Sequence, residues 1–151
     1  MRIDPPQSAN RPTTILGDWH ANLLLWRPQL IHCINDRSLL SVLVPARESA
    51  VFPVRLQSAL GTLLVRLGVP IEAVELEVGA MSEFVLAPTN NRSVLGCMRD
   101  SELALAYAIE SGRFGTLEEL EWHLTDHIHS SSDYRHPGEL AAELLSRGGL
   151  R

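Results

Sequence analysis

The sequence predicts a single α+β domain in which an antiparallel sheet of about four strands packs against helices on one of its faces. Short apolar or alternating runs, which are typical of strands, are concentrated in the first half of the chain. Segments with apolar residues at helical spacing dominate the second half. The chain has 151 residues, 45% of them hydrophobic, which suffices for one hydrophobic core.

Residues 1–12 are polar and contain three prolines, so we predict a flexible N-terminal arm followed by one domain over residues 13–151. Three apolar runs then follow, HANLLLW, LIHCI and LLSVLV. Arg27-Pro28 separates the first two runs, and the turn-forming residues 35–38 separate the last two. We therefore expect an antiparallel meander.

Leucines at helical spacing predict a core-facing helix within residues 46–68, with Pro53 in its first turn and Gly68 at its end. Residues 70–79 fit both a strand and a helix, and the flanking Pro70 and Gly79 favour a short helix. Residues 83–87 indicate a further strand.

The second half predicts three more helices. The first covers residues 94–112, with Ser93 as its N-cap. Thr116 and Glu119 form a capping box for a helix that reaches about His127, and Pro137 begins the last helix.

The composition excludes several classes of protein. All 13 basic residues are arginines, which rules out mechanisms that need a Schiff-base or P-loop lysine. A net charge of -5 argues against non-specific coating of nucleic acid. No apolar run is long enough for a membrane span and no signal-peptide core is present, so we expect a cytoplasmic protein. Cys33 and Cys97 are expected to be buried free thiols.

Polar residues alternate near the start of the first predicted strand. If this segment is extended, Asp18, His20 and Asn22 point to one face, and Asp18 could orient His20 as a general base. The more common arrangement for such residues is a polar sheet face whose side chains bond nearby backbone.

A second polar segment, residues 89–93, lies between a predicted strand and a predicted helix. Free N–H groups at a helix start favour an anion, and Arg92 could add a bidentate contact to phosphate or carboxylate. The structural alternative is that Asn90 and Asn91 form a turn and Ser93 caps the helix.

Four of the six histidines lie in the segment EWHLTDHIHSSSDYRH, residues 121–136. His123 and His127 have the i, i+4 spacing of two metal ligands on one helix, with Glu119 one turn before. The segment lacks the H-E-x-x-H pattern of a zinc protease. The sequence therefore predicts no metal site and no cofactor, with these three residues as weak metal candidates.

Three stretches, DWHANLLLW, INDRSLLSVLVP and TNNRSVLGCMRD, together resemble the bacterial family known as domain of unknown function 6933. The resemblance covers roughly residues 16–109 and departs from the family pattern at Cys97 and Arg99. It implies a common fold and shared polar positions, and it implies no activity. The matching positions are Asp18, Trp19, His20, Asn22, Asn90, Asn91, Arg92, Ser93, Gly96, Met98 and Asp100.

These observations favour a small binding or interaction domain with an anion or partner-protein site at residues 18–22 and 90–93. The ligand-binding candidates are Asn22, Asn90, Asn91, Arg92 and Ser93. One alternative is a hydrolase or nuclease-like enzyme that uses His20, Asp18 and Arg92. Another is that both segments are structural and that function lies in an oligomer surface.

Overall fold

A computed structural model describes residues 2–4, 14–47, 49–81, 85–87, 91–129 and 133–148 of the chain. It confirms the α+β class and the antiparallel sheet. The strands are β1 (Arg2–Asp4), β2 (Trp19–Leu24), β3 (Leu30–Asn35), β4 (Ser41–Pro45) and β5 (Val85–Ala87), and their order in the sheet is β4-β3-β2-β1-β5. Strands β2 to β4 are the predicted meander, and the two three-residue strands extend it.

The predicted N-terminal arm is wrong for Arg2–Asp4. These residues form β1, which pairs with β2 on one side and with β5 on the other. Three prolines in the first 12 residues indicated a loose segment, but all three follow β1 in the sequence. Residue 1 and residues 5–12, the rest of the predicted arm, lie outside the described residues.

Five helices accompany the sheet in the described part of the chain. They are α1 (Phe52–Arg66), α2 (Ile71–Gly79), α3 (Arg92–Ser111), α4 (Leu117–Leu124) and α5 (Pro137–Gly148). All five were predicted as helices, including the ambiguous segment that became α2. Helix α4 is shorter than predicted, because it ends at Leu124 rather than near His127. None of the described helices is both long and apolar enough to cross a membrane.

The helices pack on both faces of the sheet, so the prediction of a single covered face is wrong. One face, here called the Trp19 face, carries Trp19, Cys33, Val42 and Val44 and packs against α1, α2 and α5. The opposite face, the His32 face, carries Leu24, Leu30, Ile34 and Leu43 and packs against α3 and α4. Strand β3 is buried at five of its six positions, as a strand covered on both sides must be.

Helix α4 runs beside β4, the edge strand of the sheet. Its Leu120 and Leu124 pack on the His32 face, whereas Trp122 packs with the cluster on the Trp19 face. The carboxylate of Glu121 accepts a hydrogen bond from the backbone N–H of Leu43 at 2.9 Å. Helix α4 thus satisfies a backbone donor that an edge strand leaves unpaired.

Two buried polar side chains fix the loops at the β3–β4 end of the sheet. Asn35 donates to the carbonyl oxygens of Leu16 and Asp18 and accepts from the N–H and hydroxyl of Ser38. Glu77 of α2 accepts hydrogen bonds from the backbone N–H groups of Ile15 and Leu16, at 2.6 and 3.1 Å. The segment before β2 is therefore hydrogen-bonded both to Asn35 of the sheet and to Glu77 of α2.

Candidate functional site

A small cavity lies where α3 begins, at the end of the sheet that carries the β3–β4 turn. It has a volume of about 330 Å³ and is here called the α3 pocket. Its lining residues are Asp36, Arg37, Leu39, Asn91, Ser93, Val94, Asp133, Arg135 and Leu140. The pocket brings together the start of α3, the β3–β4 turn and the segment before α5, three parts of the chain that are distant in sequence.

The two arginines of the α3 pocket are held by different contacts. Arg37 donates a hydrogen bond from Nη1 to the carbonyl oxygen of Ile15 at 2.6 Å. Its guanidinium also packs on Gly17, which has a φ of +78°, and a side chain at that position would come within 3.0 Å of the Arg37 Nε. Arg135 forms an ion pair with Glu143 of α5. Both guanidinium groups are thus held by contacts within the protein.

Of the residues predicted at the start of α3, Asn91 and Ser93 line this pocket and Arg92 does not. The N-cap of α3 is Asn91, whose Oδ1 accepts from the N–H of Val94 at 3.2 Å, so the prediction of Ser93 as cap is wrong. Ser93 lies in the first turn of the helix, where its backbone is already helical. Asn90 lies outside the described residues.

The other predicted segment approaches the α3 pocket through Asp36. His20 is buried on the His32 face, and its Nε2 lies 3.8 Å from Oδ2 of Asp36, a residue of the pocket. Strand β2 begins at Trp19, so Asp18 precedes it and the predicted alternation covers only His20 and Asn22. With a side chain 1% exposed, His20 does not present a general base to solvent. Asp18 contributes its carbonyl oxygen, which accepts from the N–H of Asp36 at 3.1 Å.

Further along the His32 face, α3 and the sheet enclose a group of polar side chains. Nε2 of the buried His32 lies 2.8 Å from the hydroxyl of Ser41, and its Nδ1 lies 3.6 Å from Oε2 of Glu102. The other carboxylate oxygen of Glu102 accepts a hydrogen bond from Asn22 at 2.5 Å. Asn22 is therefore an exposed partner of Glu102 and lies apart from the α3 pocket.

Sequence reasoning missed His32, Ser41 and Glu102. His32 and Ser41 each stand inside apolar runs, LIHCI and LLSVLV, whose overall hydrophobicity conceals a polar residue. Strand pairing places His32 opposite Leu43 of β4 on one side and opposite Asn22 of β2 on the other. The polar group therefore forms only when the strands pair.

The three weak metal candidates do not share one helical face. His127 lies beyond the end of α4, next to Asp100 and His129. His123 stacks against Phe114 with ring centroids 4.9 Å apart. Glu119 accepts from the N–H of Gly115, and Thr116 accepts from the N–H of Glu119, so Glu119 completes the helix start.

A larger cavity of about 950 Å³ lies at the opposite end of the sheet. Apolar and aromatic side chains, among them Trp26, Phe114 and Leu117, line most of it, with Arg27 and Arg47 also present. None of the described residues of the predicted polar segments, 18–22 and 91–93, lines this cavity.

Both cysteines are buried thiols outside any disulfide, as predicted. Burial, with a smaller contribution from the charge of Glu121, raises the pKa of the Cys33 thiol far above its ordinary value. Cys33 is therefore a packing residue of the Trp19 face and has no thiolate character for catalysis.

The fold and the site define a small α+β domain whose sheet is covered on both faces and which carries a polar pocket at the start of α3. A family model described as domain of unknown function (DUF6933) matches residues 1–140, and the chain belongs to this family. The match extends beyond the resemblance at residues 16–109 and includes β1 and the histidine-rich segment. No curated protein and no solved structure matches the chain.

Proposed function

We propose that this protein is a small binding domain whose ligand is a small anion held in the α3 pocket. The observation that supports this proposal is that the α3 start, through Asn91 and Ser93, lines one pocket together with Arg37 and Arg135. The first N–H groups of a helix have no carbonyl partner within the helix, and the helix dipole favours negative charge there. Arginine adds planar donors that match carboxylate and phosphate.

Two aspartates, Asp36 and Asp133, also line the α3 pocket. Their charges balance those of the two arginines, so a ligand with only negative charge would meet repulsion on one side of the pocket. We therefore infer a small anion that also carries a hydrogen-bond donor, such as an amino acid or a hydroxy acid. A volume of about 330 Å³ is at the lower end of the range for ligand sites, which agrees with a small molecule.

Binding is favoured over the hydrolase alternative because of the position of His20. Its side chain is buried and separated from the pocket by Asp36, and Arg92 does not line the pocket. A general base must reach the proton that it removes, directly or through one water. The bacterial origin and the cytoplasmic location expected from the sequence remain predictions.

Titration of the full chain with inorganic phosphate, acetate and glycine, followed by NMR chemical shifts, tests this function. We expect the amide signals of Arg37, Ser93 and Val94 to shift, with glycine binding more tightly than acetate because it also carries a donor. Arg37→Gln and Arg135→Gln should each weaken binding by about tenfold, since each removes a charge-assisted hydrogen bond.

Arg92→Gln is the matched control, because Arg92 is exposed at the same helix start but does not line the pocket. It should leave the affinities of glycine and phosphate within about twofold. Equal losses in Arg92→Gln and Arg37→Gln would indicate general electrostatic attraction and contradict the pocket. Turnover of a nucleotide or RNA by the wild-type chain, lost in His20→Gln, would instead support the hydrolase.

A further inference from the structure

Three side chains with metal-ligating atoms meet beside α3, and none of them lines the α3 pocket. Oδ2 of Asp100 lies 3.6 Å from Nε2 of His127 and 3.7 Å from Nδ1 of His129. All three ligand atoms lie within 4.8 Å of one another. Ligands of a tetrahedral zinc ion, with bonds of about 2.0 to 2.1 Å, are about 3.3 to 3.4 Å apart, so small side-chain rotations would bring these atoms to bonding positions.

The ring of His129 is oriented by Ser101, the residue that follows Asp100 in α3. Nε2 of His129 lies 3.3 Å from the Ser101 hydroxyl. If Nε2 carries the proton and donates it to this hydroxyl, Nδ1 keeps its lone pair and faces Asp100. Histidines that bind metals usually have their other ring nitrogen in such a hydrogen bond, which fixes the tautomer.

Nε2 of His127 is shielded from solvent and forms no hydrogen bond with the residues that the structure describes. At 3.6 Å, the Asp100 oxygen is too distant for a good hydrogen bond to it. The two imidazole rings stand edge to face, with centroids 4.9 Å apart. Nε2 of His127 thus lies near a carboxylate oxygen and a second imidazole without a hydrogen bond among the described residues, and an ion bound there would give it a partner.

The backbone that carries these groups is held in place. Asp100 belongs to α3, and the carbonyl oxygen of His129 accepts from the N–H of Tyr134 at 3.0 Å. The carbonyl of Thr125 accepts from the N–H of Gly138 at 3.0 Å, which ties the segment after α4 to α5. A site with fixed supports loses less entropy when a ligand binds.

We propose that Asp100, His127 and His129 form a binding site for one divalent transition-metal ion, of which zinc is the ion to test first. Imidazole and carboxylate are ligands of zinc, iron and nickel. Three protein ligands would leave the fourth position of a tetrahedral ion open. Asp100 is 61% exposed, so its carboxylate can be reached by an ion from solvent.

Cobalt(II) added to the chelator-treated full chain tests this site, because its visible absorption reports the number and geometry of the ligands. We expect one ion per chain and an absorption of four- or five-coordinate cobalt. Zinc should displace the cobalt. Asp100→Asn and His127→Gln should each weaken zinc binding on the order of 100-fold by calorimetry.

Two controls separate this site from adventitious binding to the other histidines. His123→Gln removes an exposed histidine of α4, and His136→Gln removes the partner of Asp126, a second histidine–aspartate pair 3.4 Å apart. Both variants should retain the wild-type affinity for zinc. Ser101→Ala should weaken zinc binding by about tenfold while leaving the stoichiometry at one, because Ser101 only orients His129.

An octahedral, water-like cobalt spectrum, or equal affinities in Asp100→Asn and wild type, would overturn the site. Equal losses in His123→Gln and His127→Gln would do so as well. Phosphate and glycine binding at the α3 pocket uses other residues, so Arg37→Gln should leave zinc affinity unchanged. Failure of either proposal is therefore distinguishable from failure of the other.

Discussion

The carboxylate of Glu121 accepts a hydrogen bond from the backbone N–H of Leu43 at the edge of the sheet, in a position where its side chain is almost wholly buried. Burial raises the pKa of Glu121 to about 7, although the Leu43 N–H partly opposes this rise by favouring the charged carboxylate. The edge of the sheet therefore contains a group that titrates near neutral pH.

The contribution of Glu121 to the free energy of unfolding should fall as the pH rises from about 5 to 8. An acid whose pKa is raised in the folded state binds its proton more tightly there, so its contribution is complete below the unfolded pKa and is lost as the pH passes through 7. Glu121→Gln keeps an acceptor for Leu43 without the charge, and should raise the free energy of unfolding at pH 8 by about 1 to 3 kcal/mol. Urea denaturation at pH 5 and pH 8 measures this difference.

At pH 5 the Glu121→Gln variant and the wild type should differ little, because Glu121 is then protonated. Glu75→Gln, which changes an exposed carboxylate of α2, serves as the control and should show no such pH dependence. A gain of the same size at both pH values would mean that Glu121 does not titrate in this range.

Glu77 should be among the most sensitive polar positions for stability. Its carboxylate accepts from the N–H groups of Ile15 and Leu16, and truncation would leave both donors without this acceptor. Glu77→Ala should therefore lower the free energy of unfolding by about 2 to 4 kcal/mol. Chemical denaturation checks this value, with the exposed Glu72→Ala in the same helix expected to stay within about 0.5 kcal/mol of wild type.

Asn91→Ala should lower the free energy of unfolding by about 0.5 to 2 kcal/mol, because Asn91 caps α3 through the N–H of Val94. Ser93→Ala, two residues later, should change it by less than about 0.5 kcal/mol. Thermal or urea denaturation of both variants compares the two positions. A larger loss of stability in Ser93→Ala than in Asn91→Ala would indicate that Ser93 is the cap.

Asn35→Ala should destabilise the β3–β4 turn and the segment before β2 together. The side chain uses both its donor and its acceptor atoms on four groups, from Leu16, Asp18 and Ser38. We expect a loss of about 3 kcal/mol or more in the free energy of unfolding. Amide hydrogen exchange should show faster exchange at Ser38 and Leu40, whereas Asn22→Ala, an exposed position in β2, should leave these amides unchanged.

Much of the fold could be predicted because local patterns specify it. The meander follows from its apolar runs and turns, and every described helix was marked by apolar spacing, a proline or a cap. The side on which the helices pack was not predictable in this way. Leu43 and Val42 are both apolar, and only the pairing of β4 with β3 shows that they face different layers.

The candidate sites were predictable only in part. Asn91 and Ser93 could be found because a helix start has a recognisable sequence, but Arg37 and Arg135 reach the same pocket from distant segments. The sequence singled out His127 because of its helical spacing from His123, but α4 ends at Leu124, before His127. The neighbour of His127 in the structure is Asp100 of α3, and no local spacing in the sequence reveals that proximity.

The position of β1 in the sheet has a consequence for the order of folding. Arg2–Asp4 are joined to the rest of the sheet by β2, which follows in sequence, and by β5, which comes after α1 and α2. Turns close the meander locally, whereas the β1–β5 contact closes a loop that contains most of the first half of the chain. Pulse-labelled hydrogen exchange should therefore find the amides of β3 protected early in refolding and those of β5 protected last, so that the first residues of the sequence complete the sheet.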